Sequence, residues 1–143
     1  MGIKQLLLMS FVVVLVGSLA YVGYRYYREK RVENLRAAMQ AEIAAAAQGA
    51  IRYFHAPRAL DGGSGSFMGY QGVARSGKKK RNTRLTAGKL LLDTENGAYS
   101  LVAVAPDSAL IEGIGDLLGY DAVNPVKIRA IAKARQVRLV IVN

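Results

Sequence analysis

The chain contains no cysteine, and this absence removes two kinds of explanation at once. No disulfide can staple a domain and no thiolate can hold a metal, so any folded part is stabilised by packing. Histidine occurs once, at position 55. The ten carboxylates are scattered, with no H-x-x-x-H, no nucleophile elbow, no phosphate-cradling glycine loop and no cluster at metal-ligand spacing. Neither catalysis nor a bound cofactor is expected. A general-base role for His55 competes with a plainer one. It sits between Phe54 and Pro57, where a helix must stop, and a ring covering a helix end accounts for it.

Acid is scarce as well. The formal charge is +10, and no Asp or Glu occurs in the first 28 residues. Such a balance suggests an acidic partner, nucleic acid or anionic lipid, although net charge speaks to association and solubility rather than to fold.

What the chain has in abundance is apolar sequence, unevenly placed. Gln5 to Tyr24 reads QLLLMSFVVVLVGSLAYVGY without a formal charge. About 20 residues at a rise of about 1.5 Å cross a hydrocarbon core roughly 30 Å thick. A cleaved secretory signal would have a shorter apolar region ending in a small-x-small site. This one is longer and runs into Tyr21, Tyr24, Tyr26 and Tyr27 with Arg25, Arg28, Lys30 and Arg31, an aromatic and basic collar of the kind found where a helix meets lipid headgroups. The segment is therefore read as a retained anchor. By the positive-inside rule the collar, which outweighs Lys4, favours a cytoplasmic C-terminal part.

Helical periodicity continues past the collar. Val32, Leu35, Met39, Ile43, Ala46, Ala50 and Phe54 recur at spacings of three or four and draw one narrow stripe expected to pack on a head. Glu42 falls close to the stripe's edge, where a partner is expected. Alanines at 37, 38, 41, 44 to 47 and 50 favour helix, and neither proline nor a glycine pair interrupts residues 24–48. An N-terminal region over residues 1–56 follows, with one helix from about residue 3 to residue 55, roughly 80 Å long, ended by Pro57. A monomeric anchor has no need of a seamless helix through membrane and head. A helical polymer does, because its core can be a bundle of such helices.

Residues 57–88 read as a glycine-rich and basic loop region. Gly62, Gly63, Gly65 and Gly69 lack the Lys-Ser/Thr of a P-loop, so an irregular linker anchored by Phe67 and Tyr70 is expected. Lys78, Lys79, Lys80, Arg81 and Arg84 follow, a solvated loop with anion contact, weak nonspecific nucleic-acid binding included, as the sharper alternative.

Residues 89–143 read as an antiparallel β head. Lys89 to Asp93 and Ala98 to Val104 flank Asn96-Gly97, the strongest local hairpin signal. A strand over Ala109 to Ile114 and a glycine-spaced passage from Gly113 to Pro125 come next. Val126, Ile128, Ala130, Ala132 and Ala134 alternate with charged residues, which favours a strand over a helix capped at Asn124-Pro125. Val137 to Val142 is expected to be a final strand buried on both faces, against the long helix or a neighbouring subunit. The fold class is α+β, a long N-terminal helix with a small antiparallel sheet.

That architecture resembles the type IV pilins and the pseudopilins of type II secretion. In detail it is similar to short pilin-like proteins that open on Met-Gly, a few polar residues and Leu-Leu-Leu, matched by Met1, Gly2, Lys4, Gln5, Leu6, Leu7 and Leu8. Their glycine cluster ending in Ser-Phe or Ser-Tyr is matched by Gly62, Gly63, Gly65, Ser66 and Phe67. The resemblance implies a subunit of a helical homopolymer, a fimbrium on the cell surface, inserted in the cytoplasmic membrane before assembly. Leu6, Leu7, Leu8, Phe11, Val12, Val14, Leu15, Leu19 and Val22 would form the filament core. Prepilins are cut after a glycine and then carry glutamate at the fifth mature position; cutting after Gly2 places Leu7 there, and uncut numbering offers Gln5. Subunit registry would then come from packing, with Gln5 as a neutral hydrogen-bonding substitute. The alternative reading is a single-pass anchored protein whose basic head binds nucleic acid or an anionic surface.

Overall fold

The apolar block and the alanine-rich stretch after it form a single element. In a computed structural model that describes residues 2–71, 75–76 and 89–142, helix α1 runs Ile3–His55, 53 residues. At about 1.5 Å per residue it is roughly 80 Å long. A short 3₁₀ turn, Arg58–Leu60, follows Pro57. The strands are β1 (Arg75–Ser76), β2 (Lys89–Asp93), β3 (Gly97–Ala105), β4 (Ser108–Leu118), β5 (Pro125–Lys133) and β6 (Gln136–Ile141). They make one sheet in sequence order. From β2 to β6 every pairing is antiparallel, and the two-residue β1 joins β2 in parallel at one edge.

Only the C-terminal half of α1 is covered. It crosses β4 and β5 and touches β6 less. Val32, Leu35, Met39, Ile43, Ala47 and Ala50 are buried there against Tyr99, Leu101, Ile111, Val126, Ile128, Ala130 and Ala132. Each full-sized aliphatic side chain sealed in this way stabilises the head by about 1.5–3 kcal/mol relative to exposure. The alternation in β5 appears as expected, with Val126, Ile128, Ala130 and Ala132 turned inward between more exposed residues.

Close approach of helix to sheet depends on two glycines of β4. A Cβ on Gly115 would stand 2.8 Å from Met39 Sδ, and one on Gly113 would stand 2.6 Å from the ring of Tyr99, its registered neighbour on β3. The helix seats where these side chains are missing.

The glycine-rich loop is an ordered cap on the end of α1. Gly63 N–H donates to Tyr53 O at 2.7 Å, Gly65 N–H to Phe54 O at 2.8 Å and Ser64 N–H to Ala56 O at 3.0 Å. Carbonyls that a helix end leaves without intrahelical partners are satisfied in this way. As expected, the loop is anchored by aromatic residues. Phe67 is fully buried 4.7 Å from Phe54 between ring centres, and Tyr70 packs 5.3 Å from Tyr53. Burial raises the Tyr70 hydroxyl above its ordinary pKa. The covering expected of His55 is supplied by the loop amides instead; its exposed ring donates Nε2–H to Ala134 O at 2.7 Å and ties the helix end to the β5–β6 turn.

One expectation is refined and two change. Ala46 lies partly buried at the core's margin and the fully buried position is Ala47. The two alanines flank the stripe on opposite sides, about 100° apart on the helix, and the sheet lies closer to Ala47. The third strand of the head is longer than Ala109 to Ile114, taking in the first part of the glycine-spaced passage and ending at Leu118. The final strand is not buried on both faces within the chain. Val137 packs partly on the core, while Leu139, Val140, Ile141 and Val142 are exposed, because β6 is the sheet's outer edge and α1 lies mainly over β4 and β5.

Candidate functional site

The N-terminal half of α1 projects from the head as a bare apolar rod. Every residue from Ile3 to Tyr27 is exposed, and none of the most apolar part of the helix is buried. Leu6, Leu7, Leu8, Phe11, Val12, Val14, Leu15, Leu19 and Val22 all lie on this rod. They are brought together only by the helix itself. The helix is long and apolar enough to cross a membrane. Its two serines close their hydroxyls onto its own backbone, Ser10 Oγ to Leu7 O at 2.9 Å and Ser18 Oγ to Leu15 O at 2.8 Å, so neither needs water. A surface of this kind fits lipid tails or other apolar helices. It is far larger than the apolar patches that monomeric soluble proteins expose.

Where the rod enters the head, charge begins. Arg25 pairs with Glu29 at 3.6 Å and Lys30 with Glu33 at 2.9 Å, both at helical spacing and both exposed. The Glu33 carboxylate holds the Lys30 pKa above its ordinary value. Such pairs add little stability. Arg28 instead donates to Gly119 O at 3.3 Å, and the Arg36 guanidinium lies 4.3 Å from the centre of the Tyr120 ring. These two arginines hold the turn between β4 and β5 against the helix. Beside Arg28 a cleft of about 420 Å³ opens, lined by Tyr24, Tyr27, Arg31, Asp116, Leu118 and Ala122 among others.

A polar lock fixes the head on the other flank. The Glu42 carboxylate accepts three hydrogen bonds of 2.7 Å, from Tyr99 Oη, Thr94 Oγ1 and Asn96 Nδ2. The partner expected for Glu42 is thus three neutral donors from the β2–β3 hairpin. Burial, with the carboxylate beside it, pushes the Tyr99 hydroxyl well above the usual tyrosine range. On the opposite face of the sheet, buried Glu112 is met by Arg129 Nε at 2.6 Å, its registered neighbour on β5. Sequence reasoning missed this pair; the signal, an acid inside an apolar strand with an arginine on the next strand, depends on register.

Val32, Leu35, Met39, Ile43 and Ala50 bind helix to head as their spacing predicts, with Ala46 and Phe54 partly buried beside them. Lys78, Lys79, Lys80, Arg81 and Arg84 lie outside the described residues. Among the described residues no three His, Cys, Asp or Glu side chains come together to hold a metal ion. No protein-family model, curated protein or solved structure matches this chain.

Proposed function

We propose that this chain is a structural subunit of a pilus-like extracellular helical filament, held in the cytoplasmic membrane before assembly and polymerised through residues 5–24. One observation carries the reading. A single helix is sealed to its head over one half and, over the other, left uncovered and without a formal charge from Gln5 to Tyr24, with no break between them. A bundle of such rods buries the uncovered half in other copies, while the heads form the outer wall. No catalytic step and no cofactor belong to this reading.

The test is electron microscopy of material sheared from cells. Val14→Asp or Leu15→Asp should abolish filaments, because an unpaired charge inside an apolar bundle costs several kcal/mol, on the order of the penalty for any buried unpaired ion. Lys79→Ala should leave them intact. Normal filament yield from the Asp variants would show that the rod is not the polymer core.

A second reading is favoured by the basic collar at residues 25–31, which by the positive-inside rule keeps the head in the cytoplasm. The chain would then be a single-pass anchor presenting a basic head to nucleic acid or an anionic surface. It predicts a head shielded from external protease in intact cells and no polymer of this chain in the sheared fraction.

A further inference from the structure

The turn between β4 and β5 carries three large exposed apolar or aromatic side chains, Leu118 at 47%, Tyr120 at 52% and Val123 at 75% relative exposure. Folding does not account for Leu118 and Val123, since the turn is already built from within. Gly119 N–H donates to Asn124 O at 2.7 Å, Ala122 N–H to Gly119 O at 3.0 Å, and the Asp121 carboxylate accepts from the Val123 and Asn124 amides at 3.1 Å. These bonds build the turn, and Val123, with part of Leu118, is left in solvent.

Its position along α1 gives these side chains a use. Arg28 holds Gly119, and Tyr24 and Tyr27 share a cleft with Leu118 and Ala122. If residues 5–24 span the hydrocarbon core, Arg28 stands about 6 Å beyond its edge, four residues at about 1.5 Å. Headgroup layers occupy roughly 5–7 Å on each side of that core. The turn is therefore at headgroup depth, continuous with the apolar rod. Arg25, Arg28 and Arg31 around it outnumber Asp116 and Glu29, the latter paired with Arg25, and the basic surplus matches anionic lipid.

We infer that the β4–β5 turn is a second membrane contact, with Leu118 and Val123 dipping into the headgroup layer of an anionic bilayer and Arg28 and Arg31 beside them facing its phosphates. The head sits down on the bilayer rather than swinging above it. This rests on the reading of residues 5–24 as a span.

The chain has no tryptophan, so single reporters can be placed in the full-length protein. Three variants are reconstituted in two sets of vesicles of phosphatidylcholine and phosphatidylglycerol, with acyl chains brominated near the headgroup to quench a tryptophan at position 123 and near the chain ends to quench one at position 15, which lies at mid-bilayer. Leu15→Trp reports the span and Val123→Trp the turn. Asp107→Trp reports the β3–β4 turn, beside Phe67 at the far end of α1, roughly 40 Å from the collar. In the expected result Leu15→Trp and Val123→Trp each lose about half their emission or more and shift to the blue, as interfacial and inserted side chains do, while Asp107→Trp is unaffected. If Leu15→Trp is quenched and Val123→Trp behaves like Asp107→Trp, the second contact is refuted and the span stands. If Leu15→Trp is itself unquenched, the span fails and the inference with it. A Val123→Trp blue shift seen only in assembled filaments, with no quenching by brominated lipid, would assign the turn to contact between copies and overturn the lipid contact.

Discussion

At the scale of single residues, Glu42 and Tyr99 decide how firmly the hairpin is attached to the helix. A carboxylate accepting three short hydrogen bonds gains more from each than a neutral acceptor would, about 1.5–3 kcal/mol per bond to a charged group. Tyr99→Phe should therefore lower stability by about 2 kcal/mol in thermal or denaturant unfolding of the full chain in detergent. The pH dependence has a definite sign. An unfolded tyrosine titrates near pH 10, whereas buried Tyr99 keeps its proton to higher pH in the folded chain. Between those values the folded state binds the extra proton. The contribution of Tyr99 is thus complete below about pH 10 and declines as pH rises above it. Tyr99→Phe should flatten the loss of stability above pH 10. An unchanged slope in the variant would mean that the hydroxyl is not shielded as the structure places it.

Among the elements, the fit of α1 to β4 is the most demanding. Gly113 and Gly115 leave room for the Tyr99 ring and for Met39, and a side chain at either position has to displace packed atoms. Gly115→Val should destabilise the head by about 1–3 kcal/mol, the range for overpacking a filled core. Far-ultraviolet dichroism should meanwhile retain the helix. An undiminished midpoint would show that the helix rides higher on the sheet than described. The elements also show where reading from residues alone succeeds. The 3.6 period of Val32 to Ala50, the Asn96-Gly97 hairpin and the alternation in β5 are local signals, and each produced the element expected of it. What depends on position within the sheet was less legible. An apolar run such as Val137 to Val142 looks the same whether it lies at the centre of a sheet or at its edge. The choice of Ala47 over Ala46 depends on which side of the stripe lies closer to the sheet, which no helical period encodes. Of the candidate site, the bare rod was legible as an uncharged run. Its link to the β4–β5 turn was not, because Arg28 and Gly119 are 91 residues apart.

For the whole molecule, one continuous helix passing from the rod into the head has a consequence that concerns rotation. With no hinge between Tyr24 and Val32, the bearing of the head about the helix axis is set by counting residues. A single alanine inserted between Tyr24 and Arg25 would turn the head by about 100° while lifting it only about 1.5 Å. Depth and azimuth are thereby separated. The β4–β5 turn would stay within the headgroup layer, so lipid quenching of a tryptophan at position 123 should persist. Filaments whose heads meet neighbours at a fixed bearing should be lost from the sheared fraction. Filaments that survive the insertion would mean that the heads turn freely about a core of rods, like beads on a shaft, and that neighbouring heads do not hold one another in place.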